Sequence, residues 1–281
     1  MEAISQLAPG QCVALGRAVR RIIAPNAGLM TGPGTNTYLI GQGEVAVLDP
    51  GPDDARHLDA ILTSAGPVIR WVIVTHTHPD HSPLAKRLAE RTGARLVGLP
   101  PPDDGRQDAT FVSQHPPGDG EELVLGECRL TAIHTPGHAS NCVCYLLKDE
   151  RLLFTGDHVL EGVTPVILPP DGDMAAYLHS IDKLEALDFV RIAPGHGDVI
   201  ERGKPVLKAL RVHRLAREAK VLRSLQRLTA ATLDELTPVV YDDVPADRHR
   251  WARLTLEAHL IKLARDSRVS LSDGLWRPRT P

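Results

Sequence analysis

The sequence predicts an α/β fold in two parts: residues 1–204 as a large domain of alternating strands and helices, and residues 205–281 as a small winged-helix-like domain. Three observations carry this. Short β-rich runs alternate with helical patterns throughout the first part. Charge changes sign near Pro205, with 17 basic and 26 acidic residues before it and 15 and 9 after it, a net of −9 against +6. The second part reads helix, helix, helix, hairpin, closing on Asp273-Gly274, a strong short hairpin signal.

Each element has its own signal. Val45–Leu48, Trp71–Thr75, Leu130–Ile133, Val143–Leu147, Leu152–Thr155 and Val190–Ala193 read as strands, several continuous in apolar character and so expected to be buried on both faces. Asp53 can cap a helix carrying Leu58, Ile61 and Leu62, with Gly66 as its stop. Ser82-Pro83 reads as a cap with Pro at the first helical position, and Gly93 ends that helix. Asp173 can cap a helix with Tyr177, Leu178, Ile181 and Leu184 at helical spacing. The Pro-rich stretches Pro100–Gly120 and Thr164–Gly172 read as loops. In the second part, Pro205–Leu228 is one long helix with Leu207, Leu210, Leu215, Leu222 and Leu225 on its apolar side. Thr232-Leu-Asp-Glu235 is a capping box. Asp247–Arg265 places Trp251, Leu254, Ala258 and Ile261 on one face, and Val269–Ser272 and Leu275–Arg277 flank the hairpin turn.

Composition excludes several classes. The 281 residues are 42% apolar and 24% charged with a net charge of −3, which suits a packed soluble chain and not a disordered one. No apolar run approaches the roughly 18 residues of a membrane span, so no membrane partner is expected. The N-terminus shows no basic-then-apolar export pattern. The four cysteines Cys12, Cys128, Cys142 and Cys144 include no CxxC pair and make no disulfide framework. A cytoplasmic location is the expectation.

The thirteen histidines are the unusual count, and their placement carries chemistry. Strand Trp71–Thr75 runs into His76-Thr-His78-Pro-Asp80-His81. Strand periodicity puts His76 and His78 on one side, and the turn before Pro83 can bring Asp80 and His81 round to them. Three imidazoles and a carboxylate within six residues suit a borderline metal such as Zn²⁺. Three more apolar runs are each followed at once by a candidate ligand: His134-Thr-Pro-Gly-His138, Gly156-Asp157-His158 and Pro194-Gly-His196-Gly197. Strand ends on one rim can converge on one point. Asp49, ending strand Val45–Leu48, can orient an imidazole from behind. His134 and His158 are neighbours off the pattern. His57, His115, His179, His213, His249 and His259 show no ligand spacing.

The motifs HTHPDH, TPGH, TGDH and PGHG, in this order, resemble the metallo-β-lactamase superfamily of hydrolases, over roughly residues 20–200. The resemblance implies an αββα sandwich, with His76, His78 and His138 on one metal, Asp80, His81 and His196 on a second, and Asp157 bridging. It implies two Zn²⁺ per chain, with Mn²⁺ or Fe²⁺ as alternatives. Two such ions about 3.5–4 Å apart can share a hydroxide as nucleophile, with Asp80 as the catalytic residue that aligns it.

Asp157 belongs with the dinuclear thioesterase and phosphodiesterase branches rather than the antibiotic-hydrolysing ones, and His78 replaces the Glu of the diiron redox branch. Thr31-Gly-Pro-Gly-Thr35-Asn36-Thr37-Tyr38-Leu39 and the C-terminal module are similar to the β-lactamase-like protein two branch, which includes endoribonucleases on single-stranded RNA. The resemblance points to Thr35, Asn36, Asn141 and His213 as substrate-binding residues. One departure stands out. Cys142 follows His138 by four residues, where relatives commonly carry His. The tail repeats Arg211, Arg214, Arg217, Lys220, Arg223 and Arg227, a stripe compatible with RNA or with a solvated exterior. The leading expectation is a phosphodiester hydrolase on single-stranded RNA or a small molecule. A thioesterase resembling glyoxalase II is the alternative, with a lactamase, a lactonase or a non-catalytic binding protein behind it. A homodimer is left open.

Overall fold

A computed structural model of the protein describes residues 8–279. The first seven residues of the expected N-terminal domain, Thr280 and Pro281 lie outside the described residues. The chain packs as two units. The first takes in residues up to Thr135, Asn141–Val163 and Leu187–Lys204, and the second Pro136–Ser140, Thr164–Ala186 and the residues from Pro205 on.

The first unit holds two mixed sheets. One follows chain order: β1 (Cys12–Ala14), β2 (Val19–Ile23), β3 (Asn36–Ile40), β4 (Val45–Leu48), β5 (Ile69–Ile73) and β6 (Arg95–Val97). Its first four strands are antiparallel, and β4, β5 and β6 are parallel. The parallel crossovers run through α1 (Ala55–Ala65) and α2 (Leu84–Thr92). The second sheet runs β11-β10-β9-β8-β7, from β7 (Glu122–Leu125), β8 (Cys128–His134), β9 (Val143–Leu147), β10 (Leu152–Gly156) and β11 (Arg191–Pro194).

The apolar runs account for these layers. β3, β4, β9 and β10 are buried along their whole length, as continuous apolar character requires. One core joins residues of the two sheets, among them Leu48 and Ile73 with Leu130 and Phe154. Within it Tyr38 meets Phe154 edge to face at 5.1 Å. On the other side of the first sheet, Leu58 and Ile61 of α1 and Leu84 and Leu88 of α2 pack with Leu39, Val47 and Val72. Asp54, not Asp53, caps α1, accepting from Arg56 N and His57 N. Ser82 does not cap α2; Pro83 occupies that position, and the Ser82 hydroxyl donates to Asp108. Gly93 closes α2 in the left-handed conformation.

The second unit comprises α3 (Met174–Glu185), α4 (Gly203–Leu228, from Pro205), α5 (Leu233–Val240), α6 (His249–Arg265) and the hairpin β12 (Val269–Ser272) and β13 (Leu275–Pro278). Leu225, Leu236, Leu256, Leu260 and Trp276 share its core. The predicted helix faces shift. In α6 the buried stripe is Ala252, Leu256, His259, Leu260 and Leu263, while Trp251, Leu254 and Ile261 are half-buried. In α4 Leu215 is exposed, whereas Arg214 and Arg217 are buried. Arg217 holds Asp243 through both nitrogens at 2.7 Å and lies 4.4 Å from the Tyr241 ring centre. The Thr232–Glu235 capping box is present in both directions. Among the described residues no helix is long and apolar enough to cross a membrane.

Replacing Thr232 by Ala removes one half of that box. The expected cost is about 1 kcal/mol, read as a lower urea midpoint with an unchanged slope. An unchanged midpoint would show that the packing of α5, not its cap, sets the stability there.

Candidate metal centre

Parallel strands deliver the first ligands. β5 ends beside β4, and the chain then turns through Thr75 to His76, His78, Asp80 and His81. Asp49, at the end of β4, organises that turn. Its Oδ1 accepts from Thr75 N and its Oδ2 from Thr75 Oγ1, both at 2.7 Å, and Oδ2 also lies 3.0 Å from His81 Nδ1. Thr75 Oγ1, having donated its proton to Asp49, accepts from His76 Nδ1 at 3.0 Å. Both imidazoles are thus held at Nδ1. His76 Nε2 then faces His78 Nδ1 at 3.0 Å.

The tight approach of the other strand ends depends on glycine. A Cβ on Gly156 would lie 2.3 Å from Thr75 Oγ1, and one on Gly195 only 2.4 Å from Asp157 Oδ1 and 2.8 Å from His81 Cε1. With hydrogen in its place, β10 and β11 bring Asp157 and His196 in. Ligand atoms of Asp80, His81, Asp157 and His196 all lie within 4.8 Å of one another. Nε2 of His81 is 3.3 Å from Asp157 Oδ1 and 3.5 Å from Asp80 Oδ2, and Nε2 of His196 is 3.3 and 3.1 Å from the same two atoms. Neither buried nitrogen makes a hydrogen bond of proper geometry there. His196 is held from behind, its Nδ1 donating to Gly34 O at 3.2 Å.

Electrostatics agree with this geometry. Burial opposes charge on His196, but Asp157 and Asp80 outweigh it and push the imidazole up to about 9. Burial likewise opposes charge on His81, and Asp80, Asp157 and Asp49 raise it well above the ordinary range. Asp80 falls to about 2 against its burial, through His81 and His196. A negative field that retains protons on buried imidazoles equally attracts a cation. Nitrogen and oxygen donors held from behind and aimed inward fit a divalent metal.

The other candidates take definite places. His138 lies in the second unit, its Nδ1 2.8 Å from Val166 O. Thr35 and Asn36, expected to bind substrate, are fully buried. Thr35 exchanges hydrogen bonds with the Asn26 amide, and Asn36 Nδ2 donates to Pro194 O and Gly197 O at 2.9 Å, fastening the loop that carries His196. Asn141 is buried, its Nδ2 donating to Thr77 Oγ1 and Pro100 O. His213 is exposed on α4. His134 Nε2 faces Pro117 O at 2.8 Å, and His158 is fully buried. Two supports carried no ligand-like spacing. Arg21 donates to Gly197 O and Asp198, and His57 donates from Nε2 to Thr37 Oγ1, which itself donates to Asp49 O. No local pattern announces either; both reach across the fold.

A chain with these layers and this donor cluster is a metal-dependent hydrolase by architecture, and comparison with known proteins places it. Residues 30–196 match the metallo-beta-lactamase superfamily, and residues 232–276 match the beta-lactamase associated winged helix domain. The chain belongs to that superfamily. It is 31% identical over 265 residues to the beta-lactamase-like protein 2 homolog of Caenorhabditis elegans, covering 91% of this chain and 87% of that one. It is also 31% identical over 276 residues to an atrochrysone carboxyl ACP thioesterase of Aspergillus fumigatus, covering 91% and 84%. A metallo-beta-lactamase family protein from Thermus thermophilus shares its fold at a TM-score of 0.78 and 24% identity, over 95% of this chain and all of that one.

Two outcomes are expected. Asp49→Asn loses the charge that orients His81 and, through Thr75, His76, so metal affinity should fall about 10–100-fold in a competition titration with a chromogenic chelator; unchanged affinity would dismiss this role. His57 gives a pH signature. Burial lowers its pKa to about 4 against an unfolded value of about 6.5. The folded state therefore binds fewer protons than the unfolded state between these values. Its contribution is complete above about pH 6.5 and falls by on the order of 3 kcal/mol as pH drops towards 4. Urea unfolding of the wild type and His57→Gln at pH 7.5 and 4.5 should show a smaller acid loss in the variant.

Proposed function

We propose that the protein is a dinuclear metal hydrolase whose substrate is a thioester or a similarly activated acyl ester. The carrying observation is the convergence of Asp80, His81, Asp157 and His196, to which the motif order adds His76, His78 and His138. Two bound divalent ions, with zinc first and manganese or iron as alternatives, would lower the pKa of water to about 7 and polarise the bond to be cleaved. Asp80 is more exposed than its partners, with about a quarter of its side chain accessible. Its carboxylate, ionised well below neutral pH, can accept a hydrogen bond from the attacking water and align it. Asp49, Thr75, Asn36 and Gly34 hold the ligand imidazoles and the His196 loop still, so little reorganisation is needed on binding.

The order of substrates reverses the one expected from sequence. The stripe that suggested RNA is largely engaged within the second unit. Arg214 and Arg217 are buried, Arg211 pairs with Asp182 and Lys220 with Asp242, while Arg223 and Arg227 remain exposed. Phosphate tracking needs cations available to solvent. Cys142 is 3% exposed at the position where the family resemblance leads one to expect His, and a buried thiol is a poor proton donor to a leaving group. An alkoxide leaves poorly without one. A thiolate, with a conjugate pKa of about 8.5, leaves unaided. Phosphodiester cleavage on single-stranded RNA stays as the second reading, resting on the resemblance of the motif at residues 31–39 and the C-terminal module to the branch that includes endoribonucleases.

A panel decides between them: an acyl-pantetheine thioester, S-lactoylglutathione, bis-p-nitrophenyl phosphate, single-stranded RNA and a chromogenic cephalosporin, each with and without chelator. Chelator-sensitive thioester turnover at least tenfold above the others is expected. Preferential RNA cleavage would reverse the order. Asp157→Ala should lose at least a hundredfold in rate, and full activity would remove the dinuclear reading.

A further inference from the structure

His138 sits on the turn 136–140, and that turn is built by the second unit. Ser180 Oγ of α3 donates to Pro136 O at 2.8 Å, Asp173 N donates to Gly137 O at 2.9 Å, and Ser140 N donates to Asp171 Oδ2 at 3.0 Å. A Cβ on Gly137 would fall 2.4 Å from Tyr177 Cα, so the turn rests directly on the helix backbone. The imidazole itself has a different support. Its Nδ1 lies 2.8 Å from Val166 O, and a carbonyl only accepts, so Nδ1 carries the proton and Nε2 is the lone-pair nitrogen. What fixes Val166 is therefore what fixes the ligand.

The neighbouring carbonyl, Pro165 O, accepts from Nη2 of Arg214. Arg214 is 3% exposed, and its guanidinium lies 5.2 Å from the Tyr177 ring centre. It projects from α4, in the middle of the helical module. A planar, always charged group held over a ring is a stiff anchor for a Pro-rich loop that has no secondary structure of its own. We infer that Arg214 is a positioning residue for the metal ligand His138: it holds Pro165 O, which sets the adjoining Val166 O, which fixes the Nδ1–H tautomer and ring orientation of His138. This rests on the reading of His138 as a ligand. The outer partners of metal-bound histidines commonly set affinity in this way, and here the partner comes from the winged-helix-bearing part of the chain. That gives the buried arginine a task at His138 rather than on nucleic acid.

The experiment uses the full chain. Side-chain ¹⁵N–¹H correlation spectra report the His138 tautomer, and Zn²⁺ titration against a chromogenic chelator reports affinity, neither requiring substrate. The wild type should show His138 protonated at Nδ1. Arg214→Met, which keeps the length and removes the donor, should lose the single tautomer and bind its weaker metal about 10–100-fold less tightly. Arg214→Lys should restore most of both, since an ammonium can still donate to Pro165 O. Arg217→Met, one turn along the same helix, tests general destabilisation: it should lower the unfolding midpoint and leave the His138 signal in place. Wild-type His138 protonated at Nε2 would overturn the proposal even if Arg214→Met fails to fold; so would Arg214→Met with wild-type tautomer and affinity, and so would a loss in Arg217→Met equal to that in Arg214→Met. His138→Ala binding two metals at wild-type affinity would instead remove the ligand reading beneath it.

Discussion

The Asp49 carboxylate is the interaction on which the metal centre depends. It stands at the end of β4 with a left-handed backbone, φ 50°, and four groups converge on it. Its two oxygens take Thr75 N, Thr75 Oγ1 and His81 Nδ1, while its main-chain carbonyl takes Thr37 Oγ1. Three neighbouring strands, β3, β4 and β5, are thereby tied at one rim. A buried carboxylate, 1% exposed, is costly unless its lone pairs are filled. Filling them requires Thr75 and His81 to occupy these places, which turns the chain after β5 inward. The cost of burying one charge is thus converted into the orientation of two imidazoles, His81 directly and His76 through Thr75. Asp54 achieves much less with a similar group, because its partners are the first amides of α1, with the side chain near the surface.

Most of this rim was legible because its grammar is local. An apolar run followed closely by His or Asp, in three of the four cases with glycine beside it, signals both a strand and a candidate ligand. The four runs are found as β5, β8, β10 and β11. What was not legible acts across distance. β2 includes Arg20 and Arg21, an unpromising pair for a buried strand. Arg21 is tolerated because Gly197 O and Asp198, 176 and 177 residues away, receive it. β1, β6 and β7 are three or four residues long, too short for period-2 patterning to rise above the noise. Thr35 and Asn36 stood out in their motif, yet the motif could not say whether they face a substrate or the loop of His196. In the structure both are buried, and Asn36 holds the loop of His196. The shifted faces of α4 and α6 have the same origin: a helical wheel assumes that arginine points outward, and Arg214 and Arg217 do not.

Those arginines also change the meaning of net charge. The tail's excess of +6 looked like a footprint for a polyanion, and the acidic first part like its complement. Much of the stripe's charge is engaged at short range within the second unit, with Arg217 on Asp243, Lys220 on Asp242 and Arg211 on Asp182. Charge counted along a sequence measures long-range attraction only when its carriers reach solvent. A guanidinium with neighbouring carbonyl and ring partners is instead a structural cross-link, for which its planar fork is suited.

The same reasoning bears on what the centre can cleave. With metals bound, the candidate ligands and the Asp80 carboxylate would serve acyl and phosphoryl substrates alike, so the attack step would discriminate little between them. Departure of the leaving group would. Cleaving RNA releases an alkoxide that must take up a proton from an acid or be neutralised by the metals, and Cys142, buried with Thr135 and Cys144 in the first unit, is poorly placed to provide the former. Releasing a thiolate makes no such demand. The proposed thioester reading rests on this contrast: a set of firmly held candidate ligands beside a buried thiol.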